Sequence, residues 1–235
     1  MFEPLSKAIA LQYEAFKSPQ PEAVVGCEHC TTPQDLCVLL AAPREKLTAQ
    51  QLSQYAFKAV TTMGSTADFR YFWPRLAELA LNREFWIDSE VVFGKPVYAQ
   101  HHTWPEVEQR AIRELAAALG QWLAAEELDP DDVDSAVCGV GLLMEGLGDP
   151  TVLLEPLLTD RPEAWSNLCG FIDRNTKDME KKHRLANAFW ENAPVNASAV
   201  FNWLQAHPRV ARARYELARL SSELYGTIPP VPLNE

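Results

Sequence analysis

Two cysteines, Cys27 and Cys30, have the spacing that metal chelation and thiol exchange require. Two thiolates separated by two residues can hold one zinc ion, at about 2.3 Å per Zn–S bond. His29 lies between them and Cys37 follows shortly after, so the sequence predicts zinc ligation by Cys27, Cys30, His29 and Cys37 if a metal is bound. The sequence has no second CxxC and no HxxxH pair, so its spacing does not complete a four-ligand site.

The same cysteine pair allows a redox function. Cys30 comes just before a predicted helix, whose N-terminal dipole would favour a thiolate there. A structural role for both thiols is the favoured alternative, because only one of the usual two ligand pairs is present. Five cysteines scattered along the chain form no disulfide framework, so we expect reduced thiols. Cys138 and Cys169 fall on apolar helical faces and are expected to pack as small core residues.

Three other patterns suggest chemistry less strongly. His101 and His102 beside Trp104 have no carboxylate or thiol spaced to complete a site, so a partly exposed loop pair is expected. The acidic run at 129–134 lacks the turn glycine and the distal glutamate of a calcium loop, and helix capping explains it better. The two glycines at 139–141 lie inside an apolar helical stripe with no preceding strand, which indicates close helix packing and not a dinucleotide loop.

The chain is organised around residues 47–82, which predict two helices folded back on each other. Thr48 can cap the first helix, and an apolar stripe at helical spacing follows as far as Met63. Gly64 suits a left-handed helix end. A second stripe begins at Phe69, and Pro74 predicts either a helix start near that point or a kink.

The remaining chain also has helical periodicity. Further helices are predicted at 5–16, 33–42, 85–93, 105–127, 129–148, 151–158, 162–173, 177–191, 197–206 and 208–225, with an isolated strand at 91–93 as an alternative. These elements predict an all-α fold of stacked antiparallel helix pairs, which an irregular HEAT-like superhelical array would satisfy. We expect one helical domain at 1–226, with an irregular CxxC loop at 18–32, and a Pro-rich tail at 227–235.

Composition limits the class of protein. The chain has 235 residues, 47% apolar content and a formal net charge of −11. Such an acidic chain is not expected to bind nucleic acid or an anionic membrane, because affinity for either comes mainly from clustered Lys and Arg. No apolar run is long enough to span a bilayer, and the N-terminal segment has the pattern of an amphipathic helix and not of a cleavable signal. We therefore expect a cytoplasmic protein.

Three stretches carry a family resemblance: the CEHC segment, LSQYAFKAVTTMGSTADFRYFWPRLAELA and EVVFGKPVYAQHHTWPEVEQRAI. Together they cover roughly residues 27–112, and they resemble an uncharacterised family of bacterial proteins. The resemblance implies a bacterial, cytoplasmic, helical protein. It implies no activity and carries over no catalytic residue.

Charge is unevenly distributed along the sequence. Residues 1–170 hold 12 Lys and Arg against 25 Asp and Glu, whereas residues 171–235 hold 9 against 7. The basic residues predicted to bind a partner are Arg209, Arg212 and Arg219 in the final helix and Lys181 and Lys182 upstream of it. Solvated helix faces with local salt bridges are the plainer interpretation.

The sequence favours a binding or scaffold module without catalysis. Its partner would be an acidic surface of another protein or of a second copy of the chain, which salt would weaken. We expect no cofactor unless zinc binds at the CxxC loop. An enzyme is the rival class, and its mark would be a deep pocket with converging polar groups and a strongly shifted pKa.

Overall fold

The computed structural model describes residues 2–225, and these residues are helical for most of their length. The α-helices are α1 (Glu3–Ala15), α2 (Pro33–Cys37), α3 (Ala49–Lys58), α4 (Thr66–Leu81), α5 (Ser89–Tyr98), α6 (Glu106–Ala125), α7 (Pro130–Met144), α8 (Thr151–Leu154), α9 (Pro162–Lys182), α10 (Pro194–Ala206) and α11 (Pro208–Tyr225). Extended pairing among the described residues is limited to isolated bridges from Met63 to Gly26 and Ala59. The all-α prediction is confirmed. The predicted tail at 227–235 lies outside the described residues.

Local hydrogen bonds fix where several helices begin. Thr48 and Gln51 form a capping box at α3, in which the Thr48 hydroxyl accepts from the Gln51 N–H and the Gln51 side chain accepts from the Thr48 N–H. Ser65 and Asp68 form the same reciprocal pair at α4. Each box satisfies two backbone donors that a helix start leaves unpaired. These starts depend on residues only three apart, so the sequence pattern identifies them.

The end of α3 differs from the prediction. The helix stops at Lys58 and not at Met63, and Val60 takes a left-handed φ of 65°. The turn that follows pairs with the CxxC loop, because the Cys27 N–H donates to the Thr62 oxygen at 2.8 Å and Met63 bridges to Gly26. Hydrogen bonds from a distant segment therefore replace the last helical turn.

Two other predictions of helix extent were wrong. Residues 162–182 form one helix, where separate helices at 162–173 and 177–191 were predicted. The Asn175 amide between the two predicted helices is fully buried and donates to Asp134 and to the Phe171 carbonyl. Helix α5 begins at Ser89 and runs through Gly94 and Pro96, although the predicted helix covered 85–93 and the alternative strand covered 91–93. Burial of α5 against α7 overrides the weak local helix propensity of these two residues.

The core is built mainly by α1 on α6, α5 on α7 and α6 on α7. Helices α3 and α4 also meet, with the rings of Tyr55 and Phe72 4.9 Å apart at an edge-to-face angle. Trp73 of α4 turns instead toward α1, and its indole N–H donates to Gln12 Oε1 at 3.0 Å. Units of a repeat array contact their chain neighbours, whereas α1 packs on the distant α6. The predicted HEAT-like array is not confirmed.

Close helix packing at Gly139 and Gly141 agrees with the prediction. A Cβ atom on Gly141 would lie 2.0 Å from the Trp190 ring, and one on Gly139 would lie 2.8 Å from the Phe93 ring. Only glycine at position 141 therefore leaves room for the Trp190 ring. Across residues 2–225, none of the helices combines the length and apolarity that crossing a bilayer demands.

Candidate functional site

The CEHC segment forms a tight, hydrogen-bonded turn. The N–H groups of Cys30 and Thr31 each donate to the Cys27 oxygen at 2.9 Å, and the Thr31 hydroxyl donates to it at 2.8 Å. The Lys58 ammonium at the end of α3 donates to the Cys30 carbonyl. The turn is anchored to the 59–64 segment, where the Gly64 N–H donates to the Val25 oxygen at 2.7 Å. The backbone therefore fixes the two cysteines in one geometry.

Both thiols of this turn are exposed and unoxidised. Their mutual hydrogen bond lowers the pKa of Cys27 and raises the pKa of Cys30. The α2 dipole was predicted to favour a thiolate at Cys30, but the Cys27 thiol raises the pKa of Cys30. In a thiol–disulfide exchange, Cys27 would therefore be suited to attack the disulfide first, and Cys30 would be suited to attack the resulting mixed disulfide.

The other two predicted zinc ligands do not join this pair. His29 and Cys37 are exposed, and Cys37 lies at the far end of α2. Residues 2–225 contain no group of three or more His, Cys, Asp or Glu side chains placed to hold a metal ion. The structure thus brings together Cys27 and Cys30 only, and zinc binding stays a prediction. Cys138 is fully buried, as expected, and its burial raises the pKa of the thiol.

The two adjacent histidines have different environments. His101 is 1% exposed, and its Nε2 lies 3.0 Å from the Leu143 carbonyl, to which it donates. Burial lowers the pKa of His101, so it is neutral at physiological pH. His102 is exposed. The expectation of a partly exposed pair was wrong for His101, whose ring packs edge-on against Trp104 and belongs to the core.

The predicted basic partner surface is partly engaged within the chain. Arg209 donates to the Asp160 carboxylate at 2.7 Å, and its guanidinium lies over the Trp165 ring. Arg212 packs over the same ring and pairs with Glu216 at 2.9 Å. Both residues therefore fasten α11 to the start of α9.

The other three predicted partner residues are placed differently. Lys182 pairs with Asp178 at 3.0 Å, Lys181 is exposed at the end of α9, and Arg219 lies further along α11. The set therefore divides between α11, where Arg209 and Arg212 share the Trp165 ring, and the end of α9, which presents Lys181 and Lys182.

Sequence reasoning missed an exposed aromatic pair. Trp86, in the loop between α4 and α5, is 70% exposed, and Phe57 at the end of α3 is 50% exposed. Their ring centroids lie 6.2 Å apart. Both lie off the apolar stripes that the helical periodicity identified, which is a signal that could have marked them as surface residues.

A cleft of about 200 Å³ adjoins Trp86. Its walls come from three stretches of sequence, residues 80–93, 119–122 and 132–136, and they include Phe85, Trp86, Asp88, Trp122, Asp132 and Ser135. Asp132 pairs with Arg83 at 2.6 Å. Asp88 precedes α5, but its carboxylate makes no capping hydrogen bond. The cleft therefore combines aromatic walls with two carboxylates, and one of these, Asp132, is paired with Arg83, which also lines the cleft.

Lys95 lies beside the aromatic pair. Its Nζ donates to the Phe57 carbonyl at 2.6 Å and lies 5.7 Å from the centre of the Tyr98 ring. Burial lowers the pKa of this ammonium to about 8. Tyr98 is 51% exposed, so a third aromatic side chain extends the surface. We call Phe57, Trp86 and Tyr98 the aromatic surface.

A buried polar network lies on the other side of α5. The Asn187 amide donates to Glu90 Oε1 at 2.8 Å and to Asp134 Oδ2 at 3.1 Å, and Asn175 donates to Asp134 Oδ1 at 3.0 Å. Burial raises the pKa of Asp134. Asn187 also lines a second cavity, of about 370 Å³, but the two carboxylates do not. Asn187 thus contacts both Asp134 and this cavity, whereas Asp134 itself does not line the cavity.

No family model, curated protein or solved structure matches this chain. The resemblance of residues 27–112 to a bacterial family therefore stays a prediction.

Proposed function

We propose that this protein is a cytoplasmic protein-interaction module, without catalysis, that binds a basic segment of a partner at the aromatic surface. The exposure of Trp86 carries the proposal. Tryptophan is enriched among residues that dominate binding energy at interfaces, and contiguous exposed apolar patches mark interaction sites. Trp86 and Phe57 form such a patch, and the cleft beside them offers a recess for a side chain.

The charge around the cleft specifies the partner. A Lys or Arg side chain can lie over the Trp86 ring, a contact worth about 0.5–2 kcal/mol, and reach the carboxylate of Asp88. The net charge of −11 and the acidic composition of residues 1–170 favour approach of a basic segment. That segment can belong to another protein or to the basic end of α9 in a second copy, which carries Lys181 and Lys182.

A peptide titration tests this function. We expect a short fluorescent peptide of alternating Arg and Gly to bind the full chain in low salt, and a matched Glu–Gly peptide not to bind. Trp86→Ala should weaken binding about fivefold to tenfold because the cation–π contact is lost. Asp88→Asn should weaken it by a smaller factor, because an exposed charge pair is worth about 0.2–1 kcal/mol.

Matched controls exclude a general charge effect. Glu114→Gln removes one exposed negative charge in the groove between α1 and α6, and Val152→Ala trims an exposed apolar residue on α8. Equal binding by Trp86→Ala and Val152→Ala would contradict the proposal. Sedimentation of the chain alone, from low to high ionic strength, distinguishes the two partners. If the chain associates with itself, if salt weakens that association, and if the double substitution Lys181→Glu and Lys182→Glu abolishes it, the partner is a second copy.

The CEHC turn supports a second candidate function, thiol–disulfide exchange. The Cys27 thiolate would attack a disulfide of a protein or small thiol, forming a mixed disulfide and releasing one thiolate. The Cys30 thiol would then lose its proton and attack the Cys27 sulfur, which releases the second thiol and leaves a Cys27–Cys30 disulfide. A turn with a 2.9 Å bond from Cys30 N–H to Cys27 O keeps the two Cα atoms within the roughly 4.4–6.8 Å that a disulfide spans.

Alkylation tests this second candidate. We expect iodoacetamide to label Cys27 several times faster than Cys30 near neutral pH, measured by peptide mass spectrometry, because the Cys27 pKa is lowered and that of Cys30 is raised. Cys30→Ala should slow labelling of Cys27, and Cys37 provides an exposed internal reference. Equal rates at all three thiols would contradict the exchange function. Stoichiometric zinc in protein purified without added metal, lost in Cys27→Ala, would instead support the metal alternative.

A further inference from the structure

The second cavity lies between the end of α9, the 3-10 helix Ala188–Asn192 and α10. Trp190 and Phe201 form its apolar wall, and His183 and Arg184 stand at its edge. We propose that this cavity binds a small carboxylic acid with an aromatic body, with the ring against Trp190 and Phe201 and the carboxylate at Arg184. The site is separate from the aromatic surface and does not depend on the function proposed for it.

The backbone around the cavity is held in place before any ligand binds. Helix α9 ends where His183 takes a left-handed φ of 52°, which turns the chain back along the helix. The Asn175 side-chain oxygen then accepts from the Ala186 N–H at 2.8 Å, and the Asn187 amide is fixed by the two buried carboxylates described above. Because this network orders the segment, a ligand would not have to supply the ordering free energy.

The cavity has the size and wall chemistry of a small-molecule site. Its volume of about 370 Å³ falls in the range of roughly 300–1,000 Å³ that such sites occupy. Trp190 is 4% exposed and packs closely on Gly141, so its ring is a fixed wall. Phe201 of α10 is half-buried and supplies a second aromatic surface. An aromatic ring can pack on both.

The charges near the cavity favour an anion. Arg184 is half-exposed and uses one guanidinium nitrogen to pair with Glu191 at 3.3 Å, which leaves further N–H donors for a carboxylate. Lys181 and Lys182 lie three and two positions before Arg184, so the end of α9 is basic, although neither lysine lines the cavity. A carboxylate therefore gains attraction to Arg184 in competition with Glu191, which also lines the cavity, whereas an amine would be repelled by Arg184.

Three matched compounds test the ligand class: phenylpropionate, phenylpropanamide and phenylpropylamine. They share an apolar body and differ only in the charge of the head group. In ligand-observed NMR titrations of the full chain, we expect phenylpropionate to bind about tenfold more tightly than the amide, because only the acid forms a charge-assisted hydrogen bond with Arg184. The amine should bind more weakly than the amide.

Variants locate the binding. Arg184→Gln should bring phenylpropionate down to the affinity of the amide, whereas Glu191→Gln should strengthen phenylpropionate binding because it frees Arg184. Ser198 lies on the exposed edge of the cavity. Ser198→Leu should fill the cavity and abolish binding of both phenylpropionate and phenylpropanamide. Lys177→Gln removes one positive charge from α9 away from the cavity and should change neither affinity.

Each contrary result overturns the proposal. Equal affinities for phenylpropionate and phenylpropanamide would show that the carboxylate makes no specific contact. Binding of phenylpropionate that persists in Ser198→Leu would show that the ligand binds at another site. Absence of saturable binding by phenylpropionate would dismiss the site. Because Arg184→Gln changes an exposed side chain, it tests the carboxylate contact even if Ser198→Leu fails to fold.

Discussion

At the residue scale, Lys95 links protein stability to pH. Burial lowers the pKa of its ammonium from 10.5 to about 8 in the folded chain, whereas the unfolded chain keeps the ordinary value. Between these two pH values the unfolded state binds more protons, so the Lys95 contribution to the free energy of unfolding rises with pH. We expect the stability of the wild type, relative to Lys95→Met, to increase from about pH 8 toward pH 10.5.

Urea unfolding followed by circular dichroism measures this difference. The comparison with Lys95→Met is needed because the buried Cys138 and Tyr55 have raised pKa values and lower the stability of both proteins as pH rises. Parallel stability curves for the two proteins over this range would show that Lys95 does not titrate as its burial implies.

At the element scale, Gly120 sets how closely α6 approaches α8. A Cβ atom there would lie 2.1 Å from the Leu153 carbonyl oxygen, which is backbone and cannot rotate away. We expect Gly120→Ala to lower the free energy of unfolding by about 1–3 kcal/mol, since α8 must shift. Thermal and urea unfolding measure the change.

Gly94 provides the matched control for that substitution. It also lies inside a helix, but the nearest atom to its Cβ would be a Leu142 methyl at 3.9 Å, which is ordinary contact. Gly94→Ala should therefore stabilise the protein by up to about 1 kcal/mol through helix propensity alone. A similar loss of stability in both variants would mean that the close approach at Gly120 is not the cause.

At the scale of the whole molecule, one apolar cluster connects the helices. Its buried members run from Leu5 of α1 to Ala213 of α11, and they include residues of all the long helices. We expect a single cooperative unfolding transition, with far-ultraviolet circular dichroism and tryptophan fluorescence giving the same midpoint. Two separate transitions would contradict the predicted single domain at 1–226 and would place a boundary within the cluster.

The sequence by itself determined the elements that depend on near neighbours. The Thr48 cap and the long amphipathic helix α6 were readable because their partners lie within a few residues or repeat at helical spacing. The glycines at 139–141 indicated close packing, but the residues that they contact, Phe93 and Trp190, are distant in sequence and were not predicted. The same local logic identified the close spacing of Cys27 and Cys30. It also predicted His29 and Cys37 as further ligands, but the described residues form no group of three or more ligands, because the environment of a thiol depends on the fold around it.

The tertiary structure alone decided the features that join distant segments. Helix α3 ends early because residues 59–64 pair with the CxxC loop, and α9 continues through Asn175 because Asp134 of α7 satisfies its amide. The cleft beside Trp86 needs walls from α4, α6 and α7 as well as its own loop. Sequence periodicity reports which face of a helix is apolar, but it does not report which other helix covers that face. Which helix covers which apolar face follows from the packing of the whole core, and the same packing forms both proposed binding sites.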